Sequence, residues 1–477
     1  MGRLFSISVS LLAFAAVSSQ AARAQQLSDC AQQYGPSALC GWYEVAEDRS
    51  DPTGRKIKLR IVVLPAATDS NAEPVVMFPG GPGQAASDLI PLARQVYGSV
   101  RESRDFVFIG QRGTGESNPL NCTLDVVSDP AIAFGQVFSP ARIRACHQAT
   151  LAHANPALYT TREYVEDIDD ALTALGYGRA ILWGGSGGTR TAQAFLREHP
   201  HRVVAVAMDG VTPIDYAMPL PFSRMAQRAW ERIVADCAAQ AQCAQHYPGL
   251  DGDFATILRR LDGSSVSSTI HRPDGSTHTV QMARGDFAYA LRGILYNAGA
   301  SARLPLEVSH AATSGDLSFF AQSLFDRSVA LRGNVIAMGV HLSAYCAEDI
   351  PRVEEGTVES LTSGTFIGTY LLHEYRAACE AWPGAELEDD WFRPVRSDVP
   401  VLLLSGYYDP STPDAAADRV AQTLPNSLHI VVRNGGHGAG FGCAQPAVVR
   451  FLTTGSLEGV ESPCPDTPIR FEVGTGG

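Results

Sequence analysis

The chain has 477 residues, 45% hydrophobic and 18% charged, a balance that supports a large buried core and excludes a disordered chain. Its 37 Lys and Arg against 50 Asp and Glu give a formal charge of −13. That argues against a nucleic-acid surface, which needs clustered positive charge to displace counterions from phosphate. No window approaches the ~18 uninterrupted apolar residues of a spanning helix, so no membrane span is expected.

The N-terminus reads Met1-Gly2-Arg3, an apolar run from Leu4 to Val17, then Ala22-Arg23-Ala24. A basic start, a short apolar segment and an A-x-A site predict a signal peptide over 1–24 and a secreted or periplasmic destination. The alternative is a buried N-terminal helix. Ten cysteines in an exported chain predict disulfides. They fall as near neighbours, Cys30/Cys40, Cys122/Cys146, Cys237/Cys243, Cys346/Cys379 and Cys443/Cys464. Sequential pairing is expected, although sequence leaves the connectivity open.

Apolar runs predict strands over Ile57–Leu64, Val75–Phe78, Phe106–Ile109, Ala180–Trp183 and Val203–Met208. Tyr159–Leu175 reads as a helix. Thr160 and Glu163 form a capping box, Val165, Ile168, Leu172 and Leu175 share a face, and Gly176 ends it. Strands alternating with helices imply a mostly parallel sheet covered on both faces. From about Ile214 to Pro394 helical stretches such as Met225–Ala239 and Phe287–Leu295 dominate, with a polar patch from Gly263 to Thr279 shaped like a small hairpin. The α/β rhythm then resumes with strand Val401–Leu404, helix Ala415–Leu424 and strand Leu428–Val432. The expected organisation is a core over 25–214 and 395–477, interrupted by a helical cap over 215–394.

Gly184-Gly185-Ser186-Gly187-Gly188 lies between the strand at Ala180 and a helix-compatible Thr189–Glu198. This is G-x-S-x-G in the context of a nucleophile elbow, where a serine sits on a strained turn and its neighbours must be small so that strand and helix pass closely. A flexible Gly/Ser loop is the bland alternative. Serine needs a base, and in this arrangement the partners follow in the order Ser, acid, His. Asp409 lies in the loop after Val401–Leu404, and His437 in the glycine-rich loop after Leu428–Val432. His437 would take the Ser186 proton while Asp409 holds the ring's tautomer. Asp209 is a competing acid and Asp414 a weaker one. An oxyanion needs two amide donors. Gly187 supplies one, and Pro79-Gly80-Gly81-Pro82-Gly83 the other, Gly80 being preferred to Gly81.

These segments resemble the α/β-hydrolase fold, specifically the proline iminopeptidase and tripeptidyl aminopeptidase family of serine exopeptidases. The glycine-proline loop at Pro79–Gly83 is similar to that family's oxyanion loop. Gln111-Arg112-Gly113-Thr114-Gly115-Glu116-Ser117 is similar to its DQRGTGxS segment, and Gly184–Arg190 to its GGSYGTR elbow. The segments around Asp409, Thr412 and Pro413, and Gly436-His437-Gly438, resemble its acid and histidine loops. Cys346-Ala347-Glu348-Asp349 and Cys379-Glu380-Ala381-Trp382-Pro383 also resemble family segments. The chain departs at Gly110, where Asp is usual, and at Gly187, where Tyr is common.

The resemblance implies a cap whose carboxylates capture a substrate's free α-ammonium, since a buried unpaired ammonium is costly. Glu348 is the expected partner and Asp349 the second choice, against a reading of both as structural acids beside a disulfide. It implies an exported serine aminopeptidase acting on peptides with a free N-terminus. A carboxylesterase on the same scaffold is the alternative, and a non-catalytic binding protein a third reading. No cofactor is implied, because the sequence carries no dinucleotide fingerprint, phosphate loop or metal spacing.

Overall fold

The apolar runs become strands buried on both faces, as near-continuous hydrophobic strands of a parallel sheet require. In the computed structural model, which describes residues 27–68, 70–122, 129–330 and 335–474, they join one nine-stranded sheet. The predicted signal peptide lies outside the described residues. The strands are β1 Ser28–Asp29, β2 Leu39–Ala46, β3 Lys56–Leu64, β4 Val75–Phe78, β5 Phe106–Ile109, β6 Ala180–Gly185 and β7 Val203–Asp209. A separate hairpin of β8 Ser265–His271 and β9 Thr277–Ala283 precedes β10 Val401–Gly406 and β11 Ser427–Val432.

The sheet order is β1-β2-β3-β5-β4-β6-β7-β10-β11. The pairs β1–β2, β2–β3 and β3–β5 are antiparallel and the remaining pairs parallel. The C-terminal ends of β4, β6, β10 and β11 therefore all open toward one edge, where ligands of open α/β sheets bind. Sequence reading missed β2. Its run of Leu39, Cys40, Gly41, Trp42, Tyr43, Glu44 mixes polarities without clean alternation, and pairing with β3 recruits it.

Separate apolar clusters cover the two faces of the sheet. One holds Trp183, Phe106 and Phe451, the other Phe78, Tyr164, Phe195 and Leu403. The helix anticipated from Tyr159 runs Thr161–Leu175. Thr160 Oγ1 accepts the Glu163 amide at 3.5 Å, and Gly176 closes the helix in a left-handed conformation. The Glu163 carboxylate faces Arg49 and Arg112 instead, leaving the box half made.

Between β7 and β10 run helices Phe222–Ala239, Leu250–Arg260, Arg284–Leu295, Leu304–Ser314, Ser318–Ala330 and Tyr370–Ala381, among others. They build a further apolar cluster around Trp230, Phe254, Phe287, Phe320 and Trp382, which Phe138, Tyr408 and Phe471 from outside the insertion also join. All ten cysteines pair in sequential order, with Cα–Cα separations from 5.1 to 5.9 Å. Among the described residues no helix is long and apolar enough to cross a membrane.

Candidate active site

Ser186 sits where β6 turns into helix Gly188–Glu198, with φ +53, a left-handed conformation that non-glycine residues rarely adopt. Its amide donates to the Asp209 carbonyl at 2.8 Å, which fixes the turn against β7. The glycines two residues away on each side are sterically required. A Cβ on Gly184 would lie 2.5 Å from the Gly188 carbonyl oxygen, and one on Gly188 would lie 2.3 Å from that of Phe78.

Asp409 and His437 meet as the strand ends dictate. His437 Nδ1 lies 2.8 Å from Asp409 Oδ2, on loops after β10 and β11. The Asp409 carboxylate is buried and saturated. The Ser411 and Thr412 amides donate to Oδ1 at 2.8 and 2.9 Å, and Thr412 Oγ1 donates to Oδ2 at 2.5 Å. Burial alone would raise its pKa, but the His437 charge and these donors hold it below the ordinary carboxylate value. Burial likewise opposes charge on His437, yet Asp409 outweighs it and lifts the imidazole pKa to about 9. Gly210 (φ +67) leaves room for the ring, since a Cβ there would come 3.2 Å from His437 Cε1.

The competing acids are engaged elsewhere. Asp209 accepts the Ala439 and Gly440 amides at 2.8 and 3.0 Å and so braces the loop beyond the histidine. Asp414 pairs with Arg228 and Arg232.

Ser186, His437, Gly80 and Gly187 line one cavity of about 280 Å³, and its other walls come from the segment between β7 and β10 together with Val137, Phe138, Arg190 and Ser411. A Cβ on Gly80 would touch Ser186 Cβ at 3.2 Å, so this loop lies against the serine. The Gly80 amide is bonded to Gln84 Oε1 at 3.2 Å, an acceptor that an oxyanion would replace. Gly187 packs under the same loop. A Cβ there would meet the Gly81 carbonyl carbon at 3.1 Å, which gives the missing tyrosine a steric counterpart. At the other departure, Gly110, a Cβ would fall 2.2 Å from Ser117 Oγ, so the serine hydroxyl fills the space of a side chain. His341 holds the loop from the helical side, donating from Nδ1 to the Pro82 carbonyl at 3.1 Å while Nε2 accepts from the Tyr375 hydroxyl at 2.8 Å. Burial lowers its pKa to about 4, which keeps it neutral.

Glu348 and Asp349 require a correction, because the structure puts neither on the cavity wall. Glu348 is buried and accepts the Thr161 amide and hydroxyl at 2.6 and 2.9 Å. Asp349 is equally buried, pairs with Arg190 at 2.9 Å and accepts the Met218 amide. Their oxygens are filled by the protein itself, which matches the structural reading of these acids. Among the described residues the wall carries no carboxylate at all.

Sequence reading gave no role to Tyr296 or His341, and Thr412 entered only as part of the acid-loop resemblance. The Asp-x-Ser-Thr spacing at 409–412 is an Asx-turn pattern and signalled that Asp409 would accept local amides. Tyr296, whose carbonyl accepts the His437 amide at 2.8 Å, carried no such signal.

The sheet order, the strained serine at its centre and the hydrogen-bonded acid and histidine at neighbouring strand ends together define a hydrolase architecture. Residues 73–441 match the family model described as the alpha/beta hydrolase fold, and the chain belongs to that family. The serine protease Hip1 of Mycobacterium tuberculosis is 26% identical over 447 residues, spanning 82% of this chain and 80% of that protein. Carboxylesterase B of the same organism is 24% identical over 464 residues, 88% and 85% of the two chains. A solved structure of proline iminopeptidase from Mycobacterium smegmatis aligns at 14% identity with a TM-score of 0.39, covering 88% of this chain and 99% of that one. A protease and an esterase among the relatives support a serine hydrolase.

Proposed function

We propose that the chain is an exported serine peptidase that hydrolyses short peptides near their N-terminus. Ser186 acts as nucleophile, His437 as base and acid, Asp409 as its orienting carboxylate, and the Gly80 and Gly187 amides as oxyanion donors. The observation that carries this reading is the Asp409–His437 hydrogen bond, with histidine and strained serine opening on one cavity. The Ser186 hydroxyl attacks the scissile carbonyl carbon and its proton passes to His437. The C–N bond then breaks and the leaving amine takes that proton. Water next attacks the acyl ester, giving a proton to His437, and Ser186 departs as a hydroxyl.

The cavity volume of about 280 Å³ supports small substrates, and residues 215–394 act as a cap that excludes longer chains. Five disulfides support export into an oxidising compartment. The filled carboxylates of Glu348 and Asp349 favour a second reading, an esterase with no need to hold an ammonium. Digestion of a peptide library by wild type and Ser186→Ala, read by mass spectrometry beside a panel of simple aryl esters, separates the two. Wild type should trim short peptides, and Ser186→Ala should lose about 10⁴-fold or more of the rate. Ester cleavage without peptide cleavage would favour the second reading.

A further inference from the structure

Resting on the hydrolase reading, we propose that Arg292 and Arg327 form an anion subsite on the histidine side of the cavity. It takes a carboxylate on the leaving group, namely the free α-carboxylate of a short peptide.

Both guanidiniums line the cavity with Ser186 and His437. Arg292 is only 5% exposed, yet among the described residues it forms no ion pair, and its Nε has no hydrogen-bond partner. Its contacts are neutral. Nη2 donates to the Tyr296 hydroxyl at 2.8 Å and to Ser411 Oγ at 2.5 Å, and its guanidinium carbon lies 4.1 Å from the centre of the Phe222 ring. Arg327 also has a buried Nε without a partner, and stacks 4.5 Å from the centre of the Tyr296 ring. Two cations thus share one phenol ring, with no anion between them among the described residues. The third arginine on the wall, Arg190, is unlike them because Asp349 neutralises it.

A buried cation without a counter-charge is costly, and the neighbouring acids offer none. Asp409 is saturated by His437, Ser411 and Thr412 and reaches Arg292 only through Ser411. Positive potential also registers on Tyr296. Burial alone would raise its phenol, yet Arg292, His437 and Arg327 hold it below the ordinary value. No acid among the described residues supplies the anion, which points to a ligand as its source. A planar carboxylate matches the guanidinium fork, which makes it the ligand chemistry best suited to this wall.

Position decides which part of the substrate carries it. The Tyr296 ring lies 4.8 Å from the His437 ring, centre to centre, so the arginines stand on the flank from which His437 protonates the departing amine. The oxyanion loop lies against the serine, with the acyl half.

The test compares kcat/KM for dipeptide and tripeptide free acids with their C-terminal amides, alongside aryl esters whose acyl chain ends in a carboxylate or a methyl group. Wild type should prefer the free acid by about 10- to 100-fold, the worth of a hydrogen bond to a charged group. Arg327→Gln and Arg292→Gln should bring that ratio toward one, with Arg327→Lys retaining part of it. Arg327 is the more exposed of the two, so its variants keep the test open if Arg292→Gln does not fold. Equal rates for acid and amide in wild type, or a preference untouched by both Gln variants, would overturn the subsite. A preference confined to the acidic acyl esters would overturn its placement on the leaving side. Absence of any Ser186-dependent turnover would instead sink the hydrolase reading beneath it.

Discussion

His437 carries the pH behaviour of the molecule. In the proposed mechanism it must be neutral to accept a proton from Ser186, and Asp409 lifts its pKa to about 9. In the free enzyme kcat/KM should therefore climb as pH rises toward about 9 and level off above it. Asp409→Asn removes the carboxylate that causes the shift. Its rising limb should move down toward the ordinary histidine value near about 6.5, and its plateau should fall by about 10⁴-fold. Steady-state pH–rate profiles of both proteins check this; an unmoved limb would mean that another group sets it. The same shift has a consequence for folding. Since the folded pKa is raised, the charged pair's stabilisation is fully present below the unfolded value of about 6.5 and is lost as pH rises through about 9.

Among the elements, the connection between β5 and helix Thr161–Leu175 is tied by a buried ion-pair network. Arg112 is fully buried and grips Asp167 with two bonds of 2.7 Å from Nε and Nη2, while Nη1 donates to the carbonyls of Glu47 and Leu158. Asp167 is also held by Arg49 at 2.7 Å. Replacing one partner of a buried pair leaves the other's charge poorly compensated. Arg112→Met should lose about 3 kcal/mol of stability, read from the urea midpoint at an unchanged slope. A loss below about 1 kcal/mol would show that Arg49 alone compensates Asp167. The segment containing Arg112 was legible as a motif, but its purpose was not. Its partner Asp167 stands 55 positions away on the helix, beside the stripe of Val165, Ile168, Leu172 and Leu175 rather than on it.

For the whole molecule, the helices between β7 and β10 share one apolar cluster with Phe138, Tyr408 and Phe471 and also line the cavity, so in the proposed cap their stability and substrate access are linked. Cys346–Cys379 closes a separation of 33 residues across this insertion, beside the buried Glu348 and Asp349. Chain entropy for such a loop is worth roughly 3–4 kcal/mol. The Cys346→Ser/Cys379→Ser double variant should lose about that much in denaturant unfolding and become more sensitive to limited proteolysis within 350–380. Unchanged protease sensitivity would mean that packing around Trp382 suffices to hold the segment.

Glycine spacing at the elbow, most strands of the sheet and the helix at Thr161 were readable directly, because local sterics and hydrophobic period express themselves within a few residues; the sheet order and the cysteine pairing were not fixed that way. So were the Ser186, Asp409 and His437 candidates, each marked by a loop at a strand end. Only the tertiary structure decided which of Asp209, Asp409 and Asp414 reaches the imidazole, that Glu348 and Asp349 spend their oxygens on Thr161, Arg190 and Met218, and that two arginines face the cavity without a counter-ion among the described residues. Those outcomes depend on how segments distant in sequence pack together and which partner reaches each charge first. No spacing along the chain encodes that competition.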